Sequence, residues 1–109
     1  MPYDELLAAR VRPLMSHRWG NTEKKMFGGV GFMLDGNMCC GVWKKLLILR
    51  VGPDRYEETL SGVYVRVFDI TGRAMRGWVM IEPEATASDE ALTGWIELAV
   101  QFTRTLPKK

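Results

Sequence analysis

Three glycines lie within four residues of an otherwise apolar stretch: Gly28, Gly29 and Gly31. Glycine inside a strand costs stability and leaves no side chain to pack. Three glycines in one strand therefore indicate a bulge, a close approach by another part of the chain, or contact with a ligand. Asp35-Gly36 follows and is a strong signal for a two-residue hairpin turn. We therefore predict a first strand over residues 24–34 and a hairpin into a second.

Length, composition and charge favour one ordinary globular domain. The chain has 109 residues, of which 47% are hydrophobic and 26% are charged. With 15 basic and 13 acidic residues, the net charge is +2. This balance permits nucleic-acid binding but does not indicate it.

Several features predict a reduced, cytoplasmic protein with no membrane segment. The N-terminus lacks the basic and apolar regions of a signal peptide, and no apolar run approaches the roughly 18 residues of a membrane span. The two cysteines, Cys39 and Cys40, are adjacent, and a disulfide between strand neighbours would distort the backbone. Two cysteines and one histidine make a zinc site improbable. We expect no metal and no cofactor.

The periodicity of apolar residues predicts an α+β domain. Helices are expected over residues 3–18, with a kink or an end near residue 12 because of Pro13, over 54–60 with Asp54 as N-cap, and from the Thr86–Ser88 region to about 105. Strands are expected over residues 24–34, 37–43, 46–51, 63–68 and 77–82. This order indicates two layers, α-β-β-β-α-β-β-α, with an antiparallel sheet and helices on one face. The other face must be covered or be unusually polar.

The stretch from Lys25 to Met38 resembles the signature of the TfoX N-terminal domain, in the TfoX/Sxy family. Further similarities follow in the strand from Leu46 to Val51, the loop from Phe68 to Arg73 and the segment from Met75 to Val79. The resemblance covers residues 3–106, so we expect one domain over that range and a short basic tail over 107–109.

The resemblance implies a fold and a role. The implied fold is a secretion-chaperone-like two-layer domain with the element order predicted above. The best-known members are bacterial regulators of natural competence that work with the cyclic-AMP receptor protein. They carry a second, C-terminal helical domain that has no counterpart in the present sequence, so we expect a stand-alone N-terminal domain. The family supplies no established catalytic residues.

The glycine cluster does not predict a nucleotide site. Gly28-Gly29-Val30-Gly31 lacks the spacing and the strand-to-helix context of a dinucleotide fold, and it lacks the Gly-Lys-Ser/Thr of a phosphate loop. We interpret it as a strand kept thin where the N-terminal helix or tryptophan side chains cross it. The alternative is contact with a ligand or a peptide.

The strongest functional candidates are arginines in and beside a loop, Arg66, Arg73 and Arg76, with Asp69 between them. Loops carry function more often than cores do, and arginine suits carboxylate or phosphate contacts. The alternative is that they form surface ion pairs with nearby acids such as Glu82. Trp43, Trp78 and Trp95 are expected in the core. Trp19 lies in a polar junction and is expected in an exposed contact patch.

The remaining reactive side chains give little support for catalysis. His17 is the single histidine and is expected at a helix end on the surface. Of Cys39 and Cys40, one is expected in the core and the other half-exposed, with neither thiolate activated.

Three functions follow, in this order of preference. The first is a non-enzymatic regulatory domain that binds another protein or itself, as a homodimer, and acts as a transcription co-regulator. The second is a small-ligand or nucleic-acid binding module that uses the loop arginines and four lysines near the glycine hairpin, Lys24, Lys25, Lys44 and Lys45. Spatial grouping of these cations separates the two. The third is a thiol-dependent enzyme at Cys39 or Cys40.

Overall fold

The computed structural model describes residues 3–26, 28–70 and 72–109. Phe27 and Thr71, which belong to two of the motifs above, lie outside the described residues. The helices are α1 (Glu5–Ser16), α2 (Tyr56–Leu60) and α3 (Asp89–Thr103), with one 3-10 turn at Pro83–Ala85. The strands are β1 (Asn21–Met26), β2 (Gly29–Leu34), β3 (Asn37–Trp43), β4 (Leu46–Arg50), β5 (Val65–Val67) and β6 (Trp78–Ile81).

These strands form a single antiparallel sheet in the order β1-β2-β3-β4-β6-β5. The α+β class and the antiparallel sheet are confirmed. The single strand predicted over residues 24–34 is wrong, because it is two strands, β1 and β2, that pair with each other. Gly28 lies between them with φ of +76°, in the left-handed region that glycine adopts without steric cost. One glycine of the cluster is therefore a turn residue.

Helix α1 continues through Pro13 to Ser16, so of the two predicted alternatives, a kink at Pro13 or an end near residue 12, the end is wrong. Its N-terminus is capped by Asp4, whose carboxylate accepts hydrogen bonds from the backbone N–H groups of Leu6 and Leu7. Val11 and Met15, one on each side of the proline, are fully buried. Burial of this apolar face offsets the hydrogen bond that the proline removes.

Several other element ends differ from the prediction by one to three residues, whereas both ends of β3 agree with it. Helix α2 begins at Tyr56, and neither Asp54 nor the N-cap residue Arg55 provides a side-chain cap. Strand β5 is shorter than the predicted range 63–68. Helix α3 begins as expected, where Ser88 accepts a 3.0 Å hydrogen bond from Ala91 N–H.

One face of the sheet packs against α1 and α3 and is called here the helix-covered face. It is lined by aliphatic and aromatic side chains that alternate along the strands, Val30, Phe32, Val42, Leu47, Leu49, Val79 and Ile81. Leu92, Ile96 and Ala99 of α3 close this core from the other side. Burial of these side chains is the main source of stability.

The opposite face is partly covered by side chains of the connection between β5 and β6, Phe68, Ile70 and Met75, and is called here the loop-covered face. Leu46, Ile48 and Met80 from the strands form a small buried cluster with Phe68. Partly buried side chains surround it, Met38, Trp43, Ile70 and Trp78. The chain thus supplies part of the cover that the second face of the sheet was expected to need.

A β-bulge places both cysteines on the helix-covered side. Phe32 pairs with Cys40 and Met33 pairs with Met38, so Cys39 is an extra residue in β3. Both cysteines are free and 0% exposed. The prediction of one half-exposed cysteine is wrong, because it assumed strict alternation along the strand.

Candidate functional site

The glycine cluster makes room for methionine side chains on the loop-covered face. Gly31 of β2 pairs with Gly41 of β3, and a Cβ at Gly31 would lie 3.2 Å from the methyl of Met26 and 3.3 Å from that of Met38. The crossing side chains are therefore methionines, and the predicted crossing by the N-terminal helix or by tryptophan is wrong. Gly29 differs, since a Cβ there would lie 2.3 Å from the carbonyl oxygen of Val42.

These methionines form part of the wall of an open groove of about 450 Å³. The groove is lined by Met26, Met33, Gly36, Met38, Arg50, Phe68, Met75, Trp78 and Lys109. A narrow cavity of about 20 Å³ lies deeper on the same face, beside Gly29 and Ile48. The groove is thus mostly apolar, with two basic residues and no acidic residue among the described residues that line it.

Arg50 is the polar centre of this groove. Its guanidinium lies over the rings of Trp78, at 5.0 Å, and Phe102, at 5.9 Å. One of its N–H groups donates a 3.4 Å hydrogen bond to the carbonyl of Met38. Within the described part of the chain, no carboxylate pairs with it. Burial lowers the pKa of Arg50, although an arginine so placed stays charged at neutral pH.

The predicted loop arginines do not form one site. Arg66 borders a separate hollow of about 390 Å³ beside Trp43, Lys44 and Lys45. Arg76 lies 3.3 Å from a carboxylate oxygen of Glu57 and stacks on Tyr56. Arg73 and Asp69 are exposed in the covering segment, where the Asp69 carbonyl accepts a hydrogen bond from Gly72 N–H.

The four predicted lysines divide in the same way. Lys44 and Lys45 form the β3–β4 turn, and the ammonium of Lys44 lies 4.6 Å from the ring centre of Trp43. Lys24 and Lys25 are neighbours on edge strand β1, so they project to opposite faces of the sheet. Of the predicted cations, Lys44, Lys45 and Arg66 border the same hollow.

Trp19 is 88% exposed, in keeping with the expected exposed patch. It borders an open hollow with Asp35, Arg104 and Lys108. Arg104 donates to the Trp19 carbonyl at 2.9 Å and pairs with Asp35 at 3.2 Å. Its charge is therefore already balanced by protein groups.

The thiols are chemically distinct from each other but enclosed. The hydrogen bond that Cys40 donates to Cys39 lowers the pKa of Cys39. The pKa of Cys40 is raised well above its usual range, chiefly by the same hydrogen bond and also by its complete burial. Neither sulfur is exposed.

His17 is an exposed helix C-cap whose Nδ1 lies 3.1 Å from the Pro13 carbonyl. Among the described residues, no three His, Cys, Asp or Glu side chains form a metal-binding group.

Sequence reasoning missed Arg50 and the methionines. One usable signal was present, since Arg50 is a charge at the end of the nearly continuous apolar run Leu46–Leu49. The methionines lie far apart along the chain, and only the pairing of β1, β2 and β3 brings Met26, Met33 and Met38 to one face.

Comparison with protein families decides the classification. The model of the TfoX N-terminal domain matches residues 14–103 of the 109-residue chain. The chain belongs to the TfoX N-terminal domain family. The TfoX N-terminal domain is of a regulatory kind and is not a known enzyme family. No curated protein and no solved structure matched the chain. In the described part of this TfoX N-terminal domain, no helix has the length and apolar character to cross a bilayer.

Proposed function

We propose that this TfoX N-terminal domain is a non-enzymatic regulatory domain that acts by binding, and that the groove on the loop-covered face is its binding site. One observation carries the proposal: an open groove of methionine and aromatic side chains surrounds an arginine that has no carboxylate partner among the described residues. Binding sites typically combine an apolar lining with a few polar groups that fix orientation.

The chemistry of the lining favours binding over catalysis. The side chains of the described residues around the groove include no carboxylate, imidazole, thiol or hydroxyl that could act as an acid, a base or a nucleophile. The two thiols lie on the other face of the sheet and are fully buried. Arginine and lysine serve here as charges that hold a partner in place.

Within this proposal the domain is a cytoplasmic co-regulator of transcription that also contacts a protein partner or a second copy of itself. The family relationship supports the regulatory part of this role. The exposed Trp19 supports the contact, since exposed tryptophan is frequent in interfaces.

The test replaces the natural gene in the organism of origin and measures all transcripts. Two groove variants, Arg50→Met and Met33→Glu, are compared with a deletion and with a control, Arg55→Met, which removes an exposed charge outside the groove. We expect both groove variants, at wild-type protein levels, to change the same transcripts as the deletion, and the control to change none. A deletion that changes no transcripts, or groove variants that behave as wild type, would overturn the proposal.

A second function, nucleic-acid binding, is favoured by one observation. Lys44, Lys45 and Arg66 surround Trp43, and among the described residues none of the three cations forms an ion pair. Three phosphate contacts would give a slope of roughly −2 to −3 in log affinity against log salt concentration. Binding of single-stranded or double-stranded DNA that is independent of salt, or unchanged in Lys44→Gln/Lys45→Gln, would exclude this function.

A further inference from the structure

We propose that the groove takes a small molecule with one carboxylate on an apolar body, and that the carboxylate pairs with Arg50. This inference rests on the proposed function and names the class of ligand for the same site. Three features of the groove carry it: an arginine without an acidic partner in the described part of the chain, an adaptable apolar lining and a volume suited to a small molecule.

The charge of Arg50 is the first feature. A cation taken partly out of water costs free energy unless it is paired. The Arg50 guanidinium lies against the rings of Trp78 and Phe102. One of its five N–H donors is used in a 3.4 Å hydrogen bond to the Met38 carbonyl. An arriving carboxylate would supply the missing partner and accept two parallel N–H bonds.

The lining is the second feature. Met26, Met33, Met38 and Met75 contribute four thioether side chains to the wall. Methionine is unbranched and polarizable, so it fits apolar groups of different shapes. At about 450 Å³ the groove lies in the range of roughly 300–1,000 Å³ that is usual for small-molecule sites. An aliphatic or aromatic body is therefore suited to lie along the methionines.

The number of charges favours a carboxylate over a phosphate ester. Arg50 is the half-buried cation of the groove, whereas Lys109 is exposed at its edge. One carboxylate neutralises one guanidinium. A phosphate monoester carries nearly two charges at neutral pH and would leave one of them close to the apolar wall.

Methionine methyl spectra of ¹³C-methyl-labelled protein provide a direct test. The probe is decanoate, compared with decanol, decylamine and decyl phosphate, all below their micelle concentrations. We expect decanoate to shift the methyl signals of Met33, Met38 and Met75 and to leave Met15, which is buried on the inner face of α1, unchanged. Decanol should bind about tenfold to a hundredfold more weakly, because it lacks the charged hydrogen bonds.

Variants separate the charge from the packing. Arg50→Met should remove the preference for decanoate over decanol, and Arg50→Lys should retain part of it, because lysine keeps the charge but loses the paired donors. Arg55→Met is the matched control and should bind decanoate as wild type does. An unchanged Met15 signal in each variant shows that the core is intact.

The outcomes distinguish this inference from the proposed function. Equal affinity for decanoate and decanol, shifts only outside the groove, no binding by any probe, or an undiminished preference in Arg50→Met would overturn the inference. A dipeptide with a free C-terminal carboxylate is included, and binding of this dipeptide without binding of decanoate would assign the site to peptide ends and also overturn it. None of these results decides whether the groove has a regulatory role, because the transcript experiment tests that role without reference to the ligand.

Discussion

The two faces of the sheet are built from different side chains, although the same strands supply both. On the helix-covered face, Phe32, Leu49 and Ile81 are at most 1% exposed and pack against α1 and α3. On the loop-covered face, Leu46 and Ile48 are buried with Phe68, but beside them glycines, methionines and Arg50 leave an open groove. The first face resembles an ordinary protein core, and the second resembles a ligand pocket.

The contrast indicates how a chain of this size combines stability with an open site. Two helices and one sheet face bury enough apolar surface to hold the fold, so the second face does not need complete packing. Residues alternate between the faces at each step along a strand. Neighbouring residues therefore provide matched pairs for testing whether stability is concentrated on the helix-covered face.

The largest expected effect concerns the thiols, which both lie in the core on the helix-covered face. In the folded protein Cys39 and Cys40 are fully buried, so a thiol reagent should reach them only when the chain unfolds. Because the unfolded fraction of a stable domain is below about one in a thousand, labelling should be slowed by at least that factor relative to protein in denaturant. A thiol that reacts as fast in buffer as in urea would show that this face is open.

The second prediction compares neighbours on β2, Phe32 and Met33. Phe32→Ala should destabilise the protein by about 4 kcal/mol, enough to unfold a marginal domain, because it leaves a large cavity under the helices. Met33 lines the groove and is half-buried, so Met33→Ala should cost about 1 kcal/mol or less. Urea unfolding measures both free energies. Equal losses would contradict the division between the faces.

The third prediction compares two glycines of the cluster. Gly29→Ala should cost about 2 kcal/mol, because its Cβ would lie 2.3 Å from the backbone carbonyl of Val42, which cannot move without disturbing β3. Gly31→Ala should change stability by less than about 1 kcal/mol, since the methyl ends of Met26 and Met38 can shift and alanine suits a strand better than glycine. Urea unfolding of both variants checks the order, and a larger loss at Gly31 would contradict it.

Much of the fold was predictable because it depends on local patterns. The range of β3 was predicted to the residue from Asp35-Gly36 and Lys44-Lys45, where turn signals bound an apolar run. The errors have identifiable causes. The β1–β2 turn was missed because Gly28 was read as part of a strand, and the positions of the cysteines were wrong because a bulge cannot be recognised from alternation alone.

The candidate site was less predictable than the fold. Arg50 was overlooked because its significance depends on having no carboxylate partner among the described residues, and this is known only once β4, β6 and α3 are assembled. The loop arginines were predicted as a site because they lie in and beside one loop, but Arg66 and Arg76 lie in separate surroundings. A site formed by residues from several strands leaves little trace in any one segment.

The smallest expected effect lies at the rim of the helix-covered face. Glu23 of edge strand β1 accepts two hydrogen bonds from Arg12 of α1, at 2.8 and 2.9 Å. Both side chains are more than a third exposed, so the pair should contribute only about 0.5 kcal/mol. Glu23→Gln should lose this amount at pH 7. The matched change on the other face of β1, Lys24→Gln, should lose nothing, because Lys24 forms no ion pair among the described residues.

The pH dependence identifies the source of that difference. The hydrogen bonds from Arg12 lower the pKa of Glu23 in the folded protein below the value of about 4.3 that is usual for an unfolded chain. The stabilisation is therefore fully present above that pH and is lost as the pH falls through the lower, folded value. Urea unfolding of wild type and Glu23→Gln from pH 7 to pH 3 should show a constant difference down to about pH 5 and convergence in more acidic buffer. A difference that widens on acidification would mean that the pair does not connect β1 to α1, and that the rim of the helix-covered face is held by packing alone.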